Sequence, residues 1–336
     1  EVGHWTRILT RMAPVLLLAA GSFAMVSGGQ ANPAIALAMV GLLFVLAVAL
    51  HGRLYALRPD PSQLTFFYLV VAAGGALGGA FTALVAPVLF DWIYEHAILL
   101  LAAAALLPQT LVIERMRRFL QERPAGRTIV AALVLLAILL AYLLHRATEA
   151  GDGETILALF ATLTLIGVAL VAIRWAFVAV AALLMLGMGG LATLALSLEG
   201  ERARTYFGVY SVVEIEDGRF RQLNHGTTNH GRQWLDPERR REPTSYYGRS
   251  AGIGIALDAA APDAEIGVVG LGAGTLACYR QPGQRWSFFE IDPQILSYSR
   301  DGSFTFLSDC APDARMVVGD ARLELIESDD PLDAGL

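Results

Sequence analysis

Lysine is absent: all 25 cationic side chains of this 336-residue chain are arginines. That excludes Schiff-base chemistry on a lysine of this chain and the lysine of a P-loop. Charge of either sign is scarce. Only 17% of residues are charged while 55% are apolar, against roughly 25% charged in soluble domains, and the mean hydropathy is positive. Much of the chain therefore faces something other than water. The net charge is −6 with no basic field, which argues against a nucleic-acid partner. Cysteine is limited to Cys278 and Cys310. Without metal-ligand spacing these two predict no metal centre, and they are expected to be reduced bystanders in a reducing compartment. No signal peptide is recognisable, since Arg7 and Arg11 precede an apolar stretch lacking a small-residue cleavage pattern. The chain opens on Glu1, which predicts that it begins inside a longer natural chain.

What is present is apolar sequence in long runs. Seven recur, at 12–28, 33–50, 64–90, 97–113, 128–144, 155–173 and 175–198. About 20 apolar residues cross a bilayer, and lipid forces such segments to be helical. A multi-span α-helical membrane domain over 1–200, with about seven spans, is expected. Arg7, Arg11, Arg53, Arg58, Arg115, Arg117, Arg118, Arg123 and Arg127 fall on one side if the runs alternate, leaving little beyond Arg146 opposite. The Arg-rich side is then cytoplasmic. Seven alternating spans would leave the C-terminal part outside, whereas the ligand it predicts (below) belongs to the cytoplasm, and the cytoplasmic placement is preferred. The glycine pairs 74–75 and 78–79 predict a tight helix–helix seam, and Pro87 a kink. None of the seven runs contains Asp, Glu, Arg or His, so the helices read as an anchor or scaffold rather than an ion path. Asp91, Glu95 and His96 read as an interfacial cluster.

After Glu199 the composition turns polar. Residues 206–216 have strand composition, Asp217-Gly218 is a hairpin turn and 219–223 the return strand, so 205–243 is a small β-hairpin segment. Residues 225–231 read as a polar loop or short strand, and 244–258 as a helix. The strongest signal follows: a buried strand at 266–269, then Gly270-Leu271-Gly272-Ala273-Gly274 and a helix from about Thr275. A second strand, 286–289, ends in Glu290-Ile291-Asp292, with Glu290 twenty residues after Gly270; a third, 315–318, ends in Gly319-Asp320-Ala321. Glycines let backbone approach a ligand, a helix N-terminus offers free N–H groups, and an acid ending the second strand can accept both ribose hydroxyls. This order points to an adenosine-type ligand, and the Gly-Asp-Ala end favours an S-adenosyl compound over a dinucleotide. Residues 244–336 are therefore expected to be a methyltransferase-like Rossmann α/β domain, incomplete at its C-terminus.

The stretches Tyr206-Phe-Gly-Val-Tyr-Ser-Val-Val, His225-Gly-Thr-Thr-Asn-His-Gly, Pro243-Thr-Ser-Tyr-Tyr-Gly and Val268-Val-Gly-Leu-Gly-Ala-Gly-Thr resemble the membrane-fused spermidine synthase-like family. So do His51-Gly52, Arg58-Pro59-Asp60-Pro61 and the glycine pairs of the third run. The resemblance implies aminopropyl transfer from decarboxylated S-adenosylmethionine to a small amine such as a diamine, at a bacterial inner membrane, with lipid as the other partner. It implies that Gly270, Gly272 and Gly274 cradle the donor, that Glu290 holds its ribose and that Asp320 with Ala321 meets adenine. Asn229 takes roughly the place of the family's donor-binding Gln, and Tyr246 and Tyr247 fall in the amine site. Three departures count. Ala273 replaces the aspartate that grips the propylamine. Arg249 stands where the family has acids. The aspartate expected to deprotonate the amine lies beyond Leu336, so the catalytic residue is unknown and a second copy in a homo-oligomer is one way to supply it. Alternatives are a methyltransferase using intact S-adenosylmethionine, and a non-enzymatic membrane transporter or scaffold with an adenosyl-binding domain. His225 and His230 read as loop histidines satisfied by backbone, and 238–242, with its three arginines, as a solvated face or an interfacial contact with anionic lipid.

Overall fold

The computed structural model describes residues 3–26, 32–108, 114–200 and 202–327. The glycine-rich break before the second run, the end of the fourth run and the last nine residues of the chain lie outside them. The chain divides into two compact units, Glu1–Glu199 and Gly200–Leu336.

In the first unit five helices are long and apolar enough to cross a membrane: His4–Met25, Pro33–Ala56, Pro61–Leu89, Pro124–Ala150 and Arg174–Leu198. The fourth and sixth runs form shorter apolar helices, Tyr94–Leu106 and Gly153–Ala169. At 1.5 Å per residue these reach roughly 20 and 25 Å, short of the roughly 30 Å of hydrocarbon. Among the described residues each of the seven runs forms a helix over most of its length, but only five helices meet the length of a span. The interior is aliphatic, with Leu17, Leu144, Leu163, Val180 and Leu184 fully buried. The Tyr94 hydroxyl lies 2.6 Å from that of Ser197, tying the short helix to the last one.

One expectation changes here. Added Cβ atoms at Gly74, Gly75, Gly78 and Gly79 would meet nothing within 4 Å, and their helix Leu64–Ala80 has no buried residue. The predicted seam therefore has no partner within this unit among the described residues. On the N-terminal side of Pro87, where a kink is expected, the helix passes through a π turn, Phe81–Val85. Proline removes one donor and crowds the carbonyl four residues back, and widening the preceding turn absorbs both.

The second unit holds two sheets. Four antiparallel strands follow chain order: β1 (Arg202–Thr205), β2 (Gly208–Ile215), β3 (Phe220–His225) and β4 (Thr228–Trp234). The predicted hairpin is β2–β3. β1 escaped the sequence pattern, and the 225–231 stretch is mostly strand. β3 and β4 join through the two-residue turn Gly226-Thr227, since His225 pairs with Thr228. A bulge falls on β4: Gln222 pairs with Arg232 but Asn224 pairs with Asn229. The face bearing Tyr210 and Leu223 joins the core of the unit with Leu271, Trp286 and Phe288. By strand alternation Phe220, Arg232 and Trp234 lie on the other face.

The second sheet is parallel, in the order β5 (Glu265–Val269), β6 (Arg285–Glu290) and β7 (Arg315–Val318). Apolar runs punctuated by turns build such strands when both faces are covered. Two predicted helices shrink. Residues 244–258 become a 3-10 turn, Ser245–Tyr247, and a seven-residue helix, Gly252–Asp258. The helix expected after the glycine turn is a five-residue 3-10 segment, Thr275–Tyr279. Pro282 lacks an N–H and would clash with the carbonyl at 278, so no α-helix can run through this crossover.

Candidate functional site

Register brings the chemistry together. Val268 and Val269 of β5 pair with Phe288 and Phe289 of β6, and Glu290 pairs with Val318 of β7. The ladder runs one step past each strand. Gly270 N–H donates to Phe289 O at 2.8 Å and Gly319 N–H to Glu290 O at 3.0 Å. Gly270, Glu290 and the Gly319-Asp320 turn therefore leave the sheet at one level, side by side, at the carboxyl ends of the strands.

The glycine turn is shaped by what it touches. Gly270, Gly272 and Gly274 all have positive φ, at 87°, 56° and 86°. A Cβ on Gly272 would sit 2.8 Å from the carbonyl oxygen of His230, so β4 demands glycine there. A Cβ on Gly270 would meet nothing within 4 Å, leaving that face of the turn open. Ala273 is buried, and its N–H donates to His230 O at 3.3 Å. A Cβ on Gly231 would come within 2.6 Å of the Ala273 methyl. The turn is thus packed on one side against the bulge of β4.

Glu290, 7% exposed, faces the turn. Its Oε2 accepts from Leu271 N–H at 2.8 Å and its Oε1 from Asp292 N–H at 3.0 Å. A carboxylate has about four lone-pair positions, of which these bonds take two. Asp320 Oδ1 accepts from Arg322 N–H at 2.9 Å, capping the helix Ala321–Glu327 that begins at Ala321. Both acids are at the strand ends, with Asp320 held as an N-cap.

A second layer of polar groups was not legible beforehand. Asp292, 1% exposed, caps the helix Pro293–Arg300 through Gln294 N–H at 3.0 Å and accepts from the Thr205 hydroxyl at 2.6 Å. It also hydrogen-bonds Tyr210, whose phenol is pushed well above its ordinary pKa by burial first and by Asp292 second. The His225 ring packs 4.7 Å from Tyr210 and 5.4 Å from His230. His225 Nε2 lies 3.1 Å from Phe207 O, so this histidine has a backbone partner. Burial holds the His230 imidazole below its ordinary pKa, with His225 adding to the effect and Glu290 opposing it. Asp292 carried a signal: it precedes Pro293, and Asp before Pro at the first helical position is a cap pattern. Thr205 carried none, because β1 had not been recognised, and Tyr210 lay in the recognised strand with no local sign of its partner.

Asn229 and the tyrosines are placed differently. Asn229 Oδ1 accepts from Gly231 N–H at 2.8 Å, and the Tyr246 hydroxyl donates to Asn229 O at 2.9 Å. Both line a pocket on the face of the antiparallel sheet that carries Phe220 and Trp234. The rings of Tyr246 and Tyr247 lie 4.4 Å apart. Burial and then Tyr247 raise the Tyr246 pKa to about 12, so it is a neutral phenol. Tyr247 contributes its carbonyl to the Tyr279 hydroxyl at 2.6 Å. Arg249 pairs with Asp258 at 3.1 Å. In the arginine run, Arg239 stacks 3.5 Å over Trp234 and grips Glu242, while Arg240 pairs with Asp309 at 2.9 Å, so this segment is more than a solvated face.

The cysteines need a correction. Cys278 and Cys310 are joined as a disulfide with Cα atoms 4.9 Å apart, 32 residues apart in sequence. The bond links Thr275–Tyr279, which continues from the glycine turn, to the helix Phe306–Cys310. Spacing along the chain said nothing of this, because packing of these two short helices brings the thiols together. Among the described residues no group of three His, Cys, Asp or Glu side chains is placed to hold a metal.

No protein-family model matches the chain, and searches of curated proteins and of solved structures found no match either.

Proposed function

We propose that this chain is a multi-pass membrane protein of a bacterial inner membrane whose C-terminal unit is a Rossmann-like S-adenosyl-binding domain. In this reading it transfers an alkyl group, an aminopropyl group in the spermidine-synthase-like case, to an amine. The observation that carries it is the meeting of Glu290 with the glycine turn at the carboxyl ends of a parallel sheet, beside Asp320. That crevice is where ligands bind open α/β sheets. The open side of Gly270 leaves room for a nucleoside, Glu290 keeps lone pairs for ribose hydroxyls, and Asp320 stands one strand further, towards the base. In the transfer, the amine nitrogen attacks the carbon bonded to the sulfonium, the C–S bond breaks, its electron pair stays on sulfur and methylthioadenosine leaves. The amine proton passes to a base. The test is calorimetric titration of the full-length protein in detergent with methylthioadenosine. A saturable 1:1 isotherm supports the reading, and no heat from a well-folded sample removes it.

One observation favours a second reading, a methyltransferase using intact S-adenosylmethionine. Ala273 is 2% exposed and lies against Gly231, so no carboxylate stands there to hold a propylamine cation. Competition between the intact and decarboxylated donors separates the two readings.

The five long apolar helices support membrane insertion. The donor places the C-terminal unit on the cytoplasmic face, where the Cys278–Cys310 bond is then exposed to reductants.

A further inference from the structure

Beside β4 lies a cavity of about 510 Å³ lined by Phe220, Arg232, Trp234, Asn229, Ser245 and Tyr246 among others. That size suits a small molecule. Its walls are aromatic: the Phe220 and Trp234 rings stack 3.8 Å apart. Its charge has one sign, since among the described residues Arg232 lines it and no acidic side chain does. Arg232 is also incompletely satisfied. Its Nη1 reaches Glu216 only at 3.5 Å, and its Nε is buried with no hydrogen-bond partner among the described residues. A buried donor left without an acceptor costs about 1–3 kcal/mol, so such a group calls for an explanation. Ser245 adds a second sign of construction. It is held at φ 57°, a left-handed conformation that a non-glycine residue adopts at a cost and that clusters at ligand sites. Thr244 holds that turn in place by donating its hydroxyl to the carbonyl of Arg232.

We propose that this pocket binds a small planar carboxylate. A guanidinium whose Nη1 reaches Glu216 only at 3.5 Å matches a carboxylate, which supplies a closer acceptor. Trp234 is covered by Phe220 on one side and Arg239 on the other, so the half-exposed Tyr246 ring is the wall left for a flat, apolar body. A diamine finds no counter-charge here and meets Arg232 instead. The site lies on the face of the antiparallel sheet away from Tyr210 and Leu223, and does not depend on the alkyl-transfer reading.

The experiment titrates the full-length protein in nanodiscs with benzoate, its neutral analogue benzamide, and 1,4-diaminobutane. Saturable 1:1 binding of benzoate is expected, with benzamide at least tenfold weaker and the diamine not binding. In Arg232→Gln, benzoate should fall to the level of benzamide, while Arg232→Lys retains part of the difference. Equal binding of benzoate and benzamide, binding of the diamine, no saturation by benzoate, or an Arg232→Gln protein that binds benzoate like the original would each overturn the proposal. Should Arg232→Gln fail to fold, the benzoate–benzamide comparison in the unmodified protein decides alone. Methylthioadenosine titrated separately reports on the nucleoside site, so failure of one site is distinguishable from failure of the other.

Discussion

Leu271 donates its backbone N–H to Glu290 Oε2 at 2.8 Å, so the middle of the glycine turn and the end of the neighbouring strand are held by one charged hydrogen bond. Replacing Glu290 by Gln turns one backbone-facing acceptor into a donor. With both oxygens engaged, at Leu271 and Asp292, at least one bond is lost, and bonds to charged groups contribute about 1.5–3 kcal/mol. The unit should melt lower, and methylthioadenosine should bind about tenfold to a hundredfold more weakly. An unchanged affinity in a folded variant would show that the carboxylate does not meet the ligand.

The packing of β4 on the glycine turn has its own test. Gly231→Ala places a methyl within 2.6 Å of Ala273 and forces alanine to φ 136°. A loss of roughly 1–3 kcal/mol is expected from the combination of clash and backbone strain. Adding Ala273→Gly removes the clash and leaves the strain, so the double variant should recover part of the melting temperature. No recovery would mean that the methyl contact does not limit the approach.

His230 makes stability depend on pH. Its folded pKa is lowered, mainly by burial, from 6.5. The unfolded chain therefore binds the proton more readily than the folded one. The contribution is fully present above pH 6.5 and is lost as the pH falls from there towards the depressed folded value. Urea melts between pH 8 and 5 should show stability dropping on the acid side, and His230→Gln should flatten that limb. A limb unchanged by the substitution would assign the acid sensitivity elsewhere.

Reduction of Cys278–Cys310 opens a loop whose ends are 32 residues apart. Chain-entropy arguments put such a cross-link at roughly 3–4 kcal/mol. Dithiothreitol should lower the melting temperature of the unmodified protein and leave Cys278→Ser unaffected. Equal responses would show that the bond is not formed in the purified protein.

Span count decides loop sidedness. If all seven apolar helices cross, a cysteine at Gly151 lies on the opposite side from one at Asp60; if only the five long helices cross, the two share a side. Charge bias brings the arginines around 115–127 to the same side as Arg53 and Arg58, which requires the short helix before them to cross. In a cysteine-free background, impermeant maleimide on right-side-out vesicles should therefore label only one of the two positions.

Some of this structure was written locally. Each run free of ionisable groups is helical over most of its described length, because apolar backbone without water closes its own hydrogen bonds. The hairpin turn at Asp217-Gly218 lies at the β2–β3 connection, and the third parallel strand spans 315–318 as its composition indicated. Helix lengths were less legible. Pro282 limits the helix after the glycine turn, and the one before it is interrupted between Tyr247 and Gly252.

Along the chain, Gly270, Glu290 and Asp320 are separated by some fifty residues, and their types and order alone indicated a nucleoside site. Short-range periodicity and turn chemistry suffice for that, because each strand end carries its own signal. The approach of β4 to the turn, the Thr205–Asp292–Tyr210 cluster, the Cys278–Cys310 bond and the arginine pocket beside Trp234 came only from folding. Each joins segments distant in sequence through strand register and side-chain packing, and no local pattern encodes which faces will meet.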